Sequence, residues 1–246
     1  MQLFVTKYKK QWSTITLSDS DLLSQLRKVL RAKIGDIIRV QDPTHETKKV
    51  RYELSIQAWN DTDIQGKILS EQFHESTPKQ TTMIVAMPNK WEKAETIVQK
   101  LSEIGIDKII FWPSERSIIK ERNSKKEERI VKIIKEAVEQ SRWWKLPELH
   151  FATDIKEYLE HTEVIVFDRK IENSSSNAQG LRSTVWIVGP EGGLTEKDYQ
   201  QFTSRPYQIV DLGETVLRME TAAIVGGRLL KNNEKLITTC PRMREN

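Results

Sequence analysis

The 246-residue sequence contains a single cysteine, Cys240, and no long hydrophobic run. One cysteine can form no internal disulfide and makes no metal site by itself. No stretch approaches the roughly 18 consecutive apolar residues of a membrane-spanning helix. The opening residues MQLFVTKYKKQW lack a long apolar segment and a small-residue cleavage site, so we expect no secretion signal. We therefore expect a cytoplasmic protein with no membrane partner and no bound metal.

Positive charge is concentrated at the N-terminal end, although the net charge of the chain is only +4. Residues 1–51 hold 11 Lys and Arg against 5 Asp and Glu, and the remainder is slightly acidic. Such a region favours a polyanion, because cationic side chains neutralise phosphates and release their counterions. A merely solvated basic surface is the alternative, and we favour nucleic-acid binding.

The N-terminal part of the chain predicts short β-strands around one helix. Its strand-like runs are MQLFVTKY, DIIRVQD, RYELSIQAW and DIQGKIL, which are rich in β-branched and aromatic residues. The segment SDSDLLSQLRKVLRAKIG predicts a helix with one apolar face, formed by Leu22, Leu26, Val29 and Leu30. We predict a small β-barrel over residues 1–72, followed by a polar linker over residues 73–82.

From residue 83 to residue 246, apolar strands alternate with helices. The predicted strands are MIVAM (83–87), DKIIFW (107–112), EVIVFD (163–168), TVWIVG (184–189) and YQIVDLG (207–213). The predicted helices are 91–105 with a Gly105 cap, one from a Ser124/Glu127 capping box to about Trp144, one from Thr195 with Asp198 three residues on, and 218–231. Fully apolar strands alternating with helices indicate an α/β domain with a parallel sheet.

The stretch GPEGG (189–193) follows a predicted strand and precedes a predicted helix. Its spacing matches neither a dinucleotide fingerprint nor a P-loop. Glu191 also argues against phosphate, since an anion inside the turn would repel another anion. A carboxylate suits ribose hydroxyls, an ammonium group or a sulfonium, which favours S-adenosylmethionine over ATP or NAD. The alternative is a tight turn whose glycines serve backbone geometry alone.

A second stretch, LGETVLRMETAAIVGG (212–227), runs from a strand end through a short loop into a helix. Gly213 permits a sharp turn, and Arg218 and Glu220 stand where the helix begins. The helix then carries small residues that allow a close approach by another element, namely Ala222, Ala223, Gly226 and Gly227.

Together these motifs resemble the RsmE family of SPOUT methyltransferases, over nearly the whole chain. The strongest segments are VGPEGGLTEKD and LGETVLRMETAA, and the others are KVLRAKIGD, KLSEIGIDKIIFWPSERSIIK and IIKEAVEQSRWWKLPEL. The resemblance implies a PUA-like N-terminal barrel and a C-terminal SPOUT-type parallel sheet with a trefoil knot. It also implies a homodimer that uses S-adenosylmethionine to methylate N3 of a uridine in 16S ribosomal RNA, as free RNA or in the assembled 30S subunit.

Residue by residue, the resemblance assigns cofactor binding to Phe167, Gly189, Glu191, Gly192, Gly193, Leu212, Gly213, Val216 and Leu217. One departure concerns Thr215, which stands where the family pattern has its first arginine, and Met219 replaces a usual threonine. Two alternatives therefore stay open. One is a SPOUT methyltransferase for another RNA position, and the other is a non-catalytic RNA-binding protein.

The chemistry of uridine N3 methylation suggests roles for several charged residues. A fixed guanidinium can stabilise the anion that develops on the uracil ring, and Arg218 is the candidate. Glu220 is a second catalytic candidate, as a base or as an orienting group for Arg218, with a plain helix N-terminal acid as the alternative. Candidate RNA contacts are Arg27, Lys28, Arg31, Lys33, Arg116 and Arg142.

Overall fold

The computed structural model describes residues 2–42, 48–75, 80–160, 162–168, 184–202 and 207–232. The chain divides into two compact units. The first consists of residues 1–78 and 135–146, and the second of residues 79–134 and 147–246. Strands occupy both ends of the segment expected to be a linker, because one strand runs to Glu75 and the next begins at Thr81. Cys240 lies outside the described residues.

The first unit contains a six-stranded mixed sheet in the order β1-β4-β5-β6-β3-β2. Its strands are β1 (Leu3–Val5), β2 (Lys9–Gln11), β3 (Thr14–Leu17), β4 (Ile37–Gln41), β5 (Lys48–Trp59) and β6 (Ile64–Glu75). Strands β1 and β4 pair in parallel, whereas the other neighbours are antiparallel. The inward side chains form one apolar core, which includes Phe4, Ile15, Leu54, Ile56 and Ile64. The strand runs predicted from the sequence are present, and β2 and β3 are additional.

The predicted N-terminal helix is shorter than expected and changes its winding. Helix α1 spans Ser20–Ser24 and continues into a π-helical turn, Gln25–Val29, in which the Leu30 amide donates to the Gln25 carbonyl. The wider turn rotates the following side chains away from the face that buries Leu22 and Leu26. Val29 and Leu30 are therefore 71% and 42% exposed, and the prediction that they share one apolar face with Leu22 and Leu26 is wrong.

Residues 135–146 pack against the sheet of the first unit through Arg51. The Arg51 guanidinium lies 3.9 Å from the centroid of the Trp144 ring and donates to the carbonyl of Arg142 at 3.0 Å. The His74 ring stacks on Trp144 at 5.2 Å. Burial, with the nearby charges of Arg39 and Arg142, lowers the pKa of Arg51 to about 10. Trp144 thus serves packing within this unit.

Glu139 in the same segment predicts a pH-dependent contribution to stability. Its Oε1 accepts a hydrogen bond from the Val5 amide at 2.8 Å, and burial raises the pKa of the carboxyl despite this bond and the nearby Lys135. The native state therefore binds the proton more tightly than the unfolded state. The free energy of unfolding falls as pH rises from the ordinary pKa of a glutamate through the raised pKa of the native state. We expect Glu139→Gln, which keeps the acceptor, to be more stable than the parent protein at pH 7.

Urea unfolding at pH 7 and pH 5 tests this expectation. The advantage of Glu139→Gln should shrink toward pH 5, where the parent carboxyl is more fully protonated. The matched control is Glu128→Gln, an exposed position on the same helix, which should change stability little at either pH. A stability gain that is equal at both pH values would contradict the explanation from burial of charge.

The second unit contains a six-stranded parallel sheet in the order β12-β10-β11-β7-β8-β9, which confirms the predicted parallel α/β fold. Its strands are β7 (Thr81–Ala86), β8 (Lys108–Trp112), β9 (Glu148–Phe151), β10 (Glu163–Phe167), β11 (Thr184–Val188) and β12 (Tyr207–Val210). The inner strands β7, β10 and β11 are buried at every residue, as expected for strands covered on both faces. Edge strand β9 was not predicted.

The helices of this part of the chain are α2 (Trp91–Ile104), α3 (Ser124–Ser141), α4 (Glu196–Tyr199) and α5 (Met219–Asn232). A 3₁₀ turn covers Lys156–Leu159. Gly105 ends α2 in the left-handed conformation, with φ of 87°, as predicted. The predicted capping box on α3 is wrong, because the Asn123 side chain caps that helix by accepting from the Lys126 amide. The helix also ends at Ser141 rather than near Trp144.

No helix in the described ranges combines the length and apolar character needed to cross a bilayer. The same ranges contain no cluster of three or more His, Cys, Asp or Glu side chains arranged to hold a metal ion.

Candidate functional site

A cavity of about 540 Å³ opens in the second unit at the carboxyl ends of three neighbouring strands. Phe167 ends β10 and Asp168 follows it, Val188 ends β11 and residues 189–194 follow it, and Val210 ends β12. Parallel sheets bind ligands at this edge, because the loops that leave the strands there converge. The two motifs singled out in the sequence therefore lie on the walls of one cavity.

Two positions in the turn after β11 require glycine, Gly193 because of its backbone conformation and Gly189 because there is no space for a side chain. Gly193 has φ of 76°, and its amide donates to the Pro190 carbonyl at 2.9 Å to close the turn. A Cβ atom at Gly189 would lie 2.9 Å from Cγ of Leu194. Thr195 and Asp198 then start α4 with the predicted capping box. The turn is thus held tightly between a buried strand and a capped helix.

Glu191 of this turn is paired with a lysine that the sequence did not indicate. Its Oε1 lies 2.7 Å from Nζ of Lys93 on α2 and accepts from the Asn89 amide at 3.3 Å. Burial raises the pKa of the Glu191 carboxyl, but these hydrogen bonds outweigh burial and the net shift is downward. Glu191 is therefore a charge-compensated carboxylate, and the argument that a lone anion here repels phosphate loses its force.

The loop after β8 braces the same turn. Nη1 of Arg116 donates to the Gly192 carbonyl at 2.5 Å, and a Cβ at Gly192 would lie 3.2 Å from Cδ of Arg116. The Glu115 amide donates to Oδ1 of Asp198 at 2.9 Å. Arg116, predicted as an RNA contact, is in this structure a support for the glycine turn.

The loop between β12 and α5 forms the outer wall of the cavity. Gly213 has φ of 124°, and its amide donates to Oδ1 of Asp211 at 3.0 Å. Val216 is 78% exposed although it is a large apolar residue that borders the cavity. Arg218 is exposed at the cavity rim, just before α5 begins at Met219.

Two carboxylates near the cavity differ in their surroundings. Oδ2 of Asp168 accepts from the Tyr199 hydroxyl at 2.7 Å, and burial together with this bond raises the pKa of Tyr199. Oε2 of Glu220 is buried and has no hydrogen-bond partner among the described residues. Its nearest cation is Lys93, whose Nζ lies 4.0 Å away and is shared with Glu191. The Glu220 oxygen is therefore available to accept a hydrogen bond.

The structure brings most of the predicted cofactor residues together around this cavity. Those that line it are Phe167, Gly189, Glu191, Gly193, Leu212, Val216 and Leu217, and the candidate catalytic residue Arg218 lines it as well. Gly192 and Gly213 shape its loops without lining it. The candidate base Glu220 lies in the first turn of α5, and within the described part of the chain it makes no hydrogen bond to Arg218.

The candidate RNA contacts of the first unit have mixed surroundings. Arg27 donates to the Asn60 carbonyl, pairs with Asp61 at 3.3 Å and lies over the Trp59 ring. Lys28, Arg31 and Lys33 are exposed. The carbonyl of Arg142 accepts from Arg51, and its own side chain is exposed.

Sequence reasoning missed several residues of the cavity wall. Their positions beside the predicted motifs were sufficient signal, since Val188 and Val210 end β11 and β12 and Leu194 directly follows GPEGG. Lys93 had no local signal, because it occupies a helix that is distant in sequence from both motifs. Thr215, the departure from the family pattern, also lines the cavity.

Comparison with known proteins identifies a family for this arrangement. Residues 75–231 match the profile described as an RNA methyltransferase domain. A protein of Rickettsia conorii named ribosomal RNA small subunit methyltransferase E is 27% identical over 236 residues, covering 91% of each chain. A protein of the same name from Mesomycoplasma hyopneumoniae is 28% identical over 168 residues, covering 65% of this chain and 73% of its own length.

A solved structure has a similar fold. The crystal structure of a ribosomal RNA small subunit methyltransferase E from Neisseria gonorrhoeae, bound to S-adenosyl methionine, superimposes with a TM-score of 0.77. The two chains are 24% identical, and the match covers 94% of this chain and 97% of the other.

Proposed function

Since the chain belongs to the RNA methyltransferase family, we propose that it transfers a methyl group from S-adenosylmethionine to N3 of a uridine in small-subunit (16S) ribosomal RNA. The observation that carries this proposal is the convergence of the β10, β11 and β12 ends, with the motifs GPEGG and LGETVLR, on one cavity. Membership of the family supports the reaction class, which is methylation of RNA. The target position, N3 of a uridine in 16S RNA, is a further proposal.

The residues around the cavity fit S-adenosylmethionine. Its volume of about 540 Å³ lies within the usual range for small-molecule sites. Apolar walls for the adenine ring are formed by Phe167, Val188, Leu194, Val210 and Leu217. The Asp168 carboxylate, which lines the cavity, suits a hydroxyl or amine donor. When bound, the cofactor would supply an electrophilic methyl group.

The protein has two tasks in methylation at N3. The N3 proton of uracil must leave, and the negative charge on the ring and its carbonyl oxygens must be stabilised. We assign charge stabilisation to Arg218, whose guanidinium is exposed at the cavity rim. We assign removal of the N3 proton to Glu220, whose buried Oε2 has no competing hydrogen bond among the described residues. Alignment of the base by the surrounding loops supplies a further part of the rate.

The same proposal includes the architecture that the family resemblance implies. The C-terminal domain, residues 83–246, would be a SPOUT domain with a trefoil knot, and residues 1–72 a PUA-like RNA-binding barrel. The protein would act as a cytoplasmic homodimer on the 16S RNA or the assembled 30S subunit.

Thr215 supports a second candidate, methylation of another RNA position by the same chemistry. It lines the cavity where the family pattern has an arginine, so substrate contacts at the rim differ from that pattern.

Methyl transfer from labelled S-adenosylmethionine to 16S RNA and to 30S subunits tests the proposal. These substrates should come from a strain that lacks the gene, and the modified nucleotide is then located by mass spectrometry. Label at uridine N3 is the expected result. Label in another nucleotide would favour the second candidate, and cofactor binding without label in any RNA would overturn both.

A further inference from the structure

The hairpin of β2 and β3 carries an aromatic side chain for which the fold has no use. Trp12 lies at its tip and is 96% exposed. Its backbone is left-handed, with φ of 53°, which is an outlier for a bulky residue and costs free energy. Because the indole remains in water, it gains none of the free energy that burial of an aromatic ring provides. The ring adds no stability and the backbone conformation costs free energy, and both features are accounted for if the ring contacts something outside the chain.

The outer face of the sheet beside Trp12 is polar and basic. Directly opposed residues of antiparallel strands share a face, and the register pairs Lys9 with Thr16 and Thr14 with both Gln11 and Lys67. These side chains alternate with Ile15 and Leu17, which face the core. The outward positions therefore present lysine, threonine and glutamine, and no acid, next to the exposed ring.

The cations on this face are uncompensated. Lys7, Lys9 and Lys67 are exposed, and within the described part of the chain their ammonium groups make no ion pair. By contrast, Lys10 on the opposite side of β2 pairs with Glu71 at 2.8 Å. A groove of about 620 Å³ runs beside the start of the hairpin, lined by Lys7, Lys9 and Thr16. The one acid on its wall, Asp19, is paired with Lys135 at 3.4 Å.

We propose that this hairpin face binds single-stranded RNA, with an unpaired base stacked on Trp12 and the neighbouring phosphates held by Lys7, Lys9 and Lys67. A lone ring beside free cations is the arrangement that single-strand binders use, because every base has a π-face and every nucleotide a phosphate. A protein-docking surface would instead offer a contiguous apolar patch. The inference rests on the proposed function, which makes RNA the substrate, and adds a site that none of the predicted basic residues of α1 occupies.

Affinity for a labelled, unpaired RNA decamer, measured by fluorescence anisotropy, tests the stacking contact. Trp12→Ala should weaken binding about tenfold, since stacking contributes about 1–3 kcal/mol per base. Trp12→Phe should recover most of the affinity. The matched control is Val29→Ala, which removes another largely exposed apolar side chain from the same unit and should leave RNA affinity unchanged. A duplex of the same sequence should bind parent and Trp12→Ala alike.

The salt dependence of binding tests the lysines separately. Lys9→Ala and Lys67→Ala should each reduce the slope of log K against log salt by about 0.7, the value for one phosphate on a single strand. Trp12→Ala should leave the slope unchanged. Trp12→Gly, which suits the left-handed backbone, should melt no lower than the parent protein, so that lost affinity is not lost folding.

Two results would overturn the inference, and a third concerns the proposed function alone. Parent-like RNA binding by Trp12→Ala would overturn it. So would binding to anionic phosphatidylserine vesicles that requires Trp12 while RNA binding does not. If the parent protein binds S-adenosylmethionine and binds RNA through Trp12 but methylates no RNA, only the proposed function fails. If RNA is methylated and Trp12 proves irrelevant, only the hairpin site fails.

Discussion

Replacing Arg218 with alanine is expected to lower the rate of methyl transfer about 100- to 1,000-fold, because a positioned donor to a developing anion contributes on that scale. The side chain is exposed at the cavity rim and makes no ion pair with any described residue, so its loss should leave the fold intact. Since the negative charge develops mainly in the transition state, the affinity for S-adenosylmethionine should hardly change. Single-turnover methylation and calorimetric cofactor titration measure the two quantities separately.

Two further variants make this prediction specific to the guanidinium. Arg218→Lys keeps a positive charge but loses the planar fork of donors, and it should recover part of the rate. Arg228→Ala removes an exposed arginine from the same helix α5 and should be as active as the parent protein. Equal losses in kcat and in cofactor affinity for Arg218→Ala would show instead that Arg218 supports the pocket.

The central strands of the second unit were predictable because burial on both faces leaves a purely apolar signature. Strands β7, β10 and β11 are buried throughout and stand out in the sequence as uninterrupted apolar runs. Edge strand β9 and hairpin strand β2 were missed because they are short and largely polar. The π-helical turn after α1 was equally invisible, since periodicity assumes one regular winding throughout the segment.

The cavity was predictable to the extent that its chemistry is local in sequence. Glycine turns at strand ends mark two of its walls, and parallel pairing places those ends at one edge. The role of Lys93 was not predictable, because its partner Glu191 lies 98 residues away and only the fold brings them together. That pairing changes the interpretation of GPEGG, whose carboxylate is a fixed, neutralised element of the wall.

Adding one methyl group at Gly226 is expected to damage both the core and the cofactor site. A Cβ atom there would lie 2.1 Å from Cε2 and 2.5 Å from Cζ of Phe167. That ring is buried, packs on Trp186 with centroids 4.9 Å apart and lines the cavity, so it has little room to withdraw. Overpacking of this kind costs about 1–3 kcal/mol, and the displaced ring should also weaken S-adenosylmethionine binding.

A double-mutant cycle isolates the clash, because alanine is intrinsically better than glycine in a helix by about 1 kcal/mol. Gly226→Ala should therefore destabilise the parent protein but stabilise a Phe167→Ala background, so the sign of its effect reverses. The matched control is Gly227→Ala, whose Cβ would lie 2.5 Å from Cδ2 at the end of the Leu101 side chain and in ordinary contact with Ile106 and Ile104, away from the cavity. It should cost less stability and leave cofactor affinity unchanged. Denaturant unfolding of the four combinations, with cofactor titration of each, measures both effects, and an unchanged sign in the Phe167→Ala background would contradict the proposed contact.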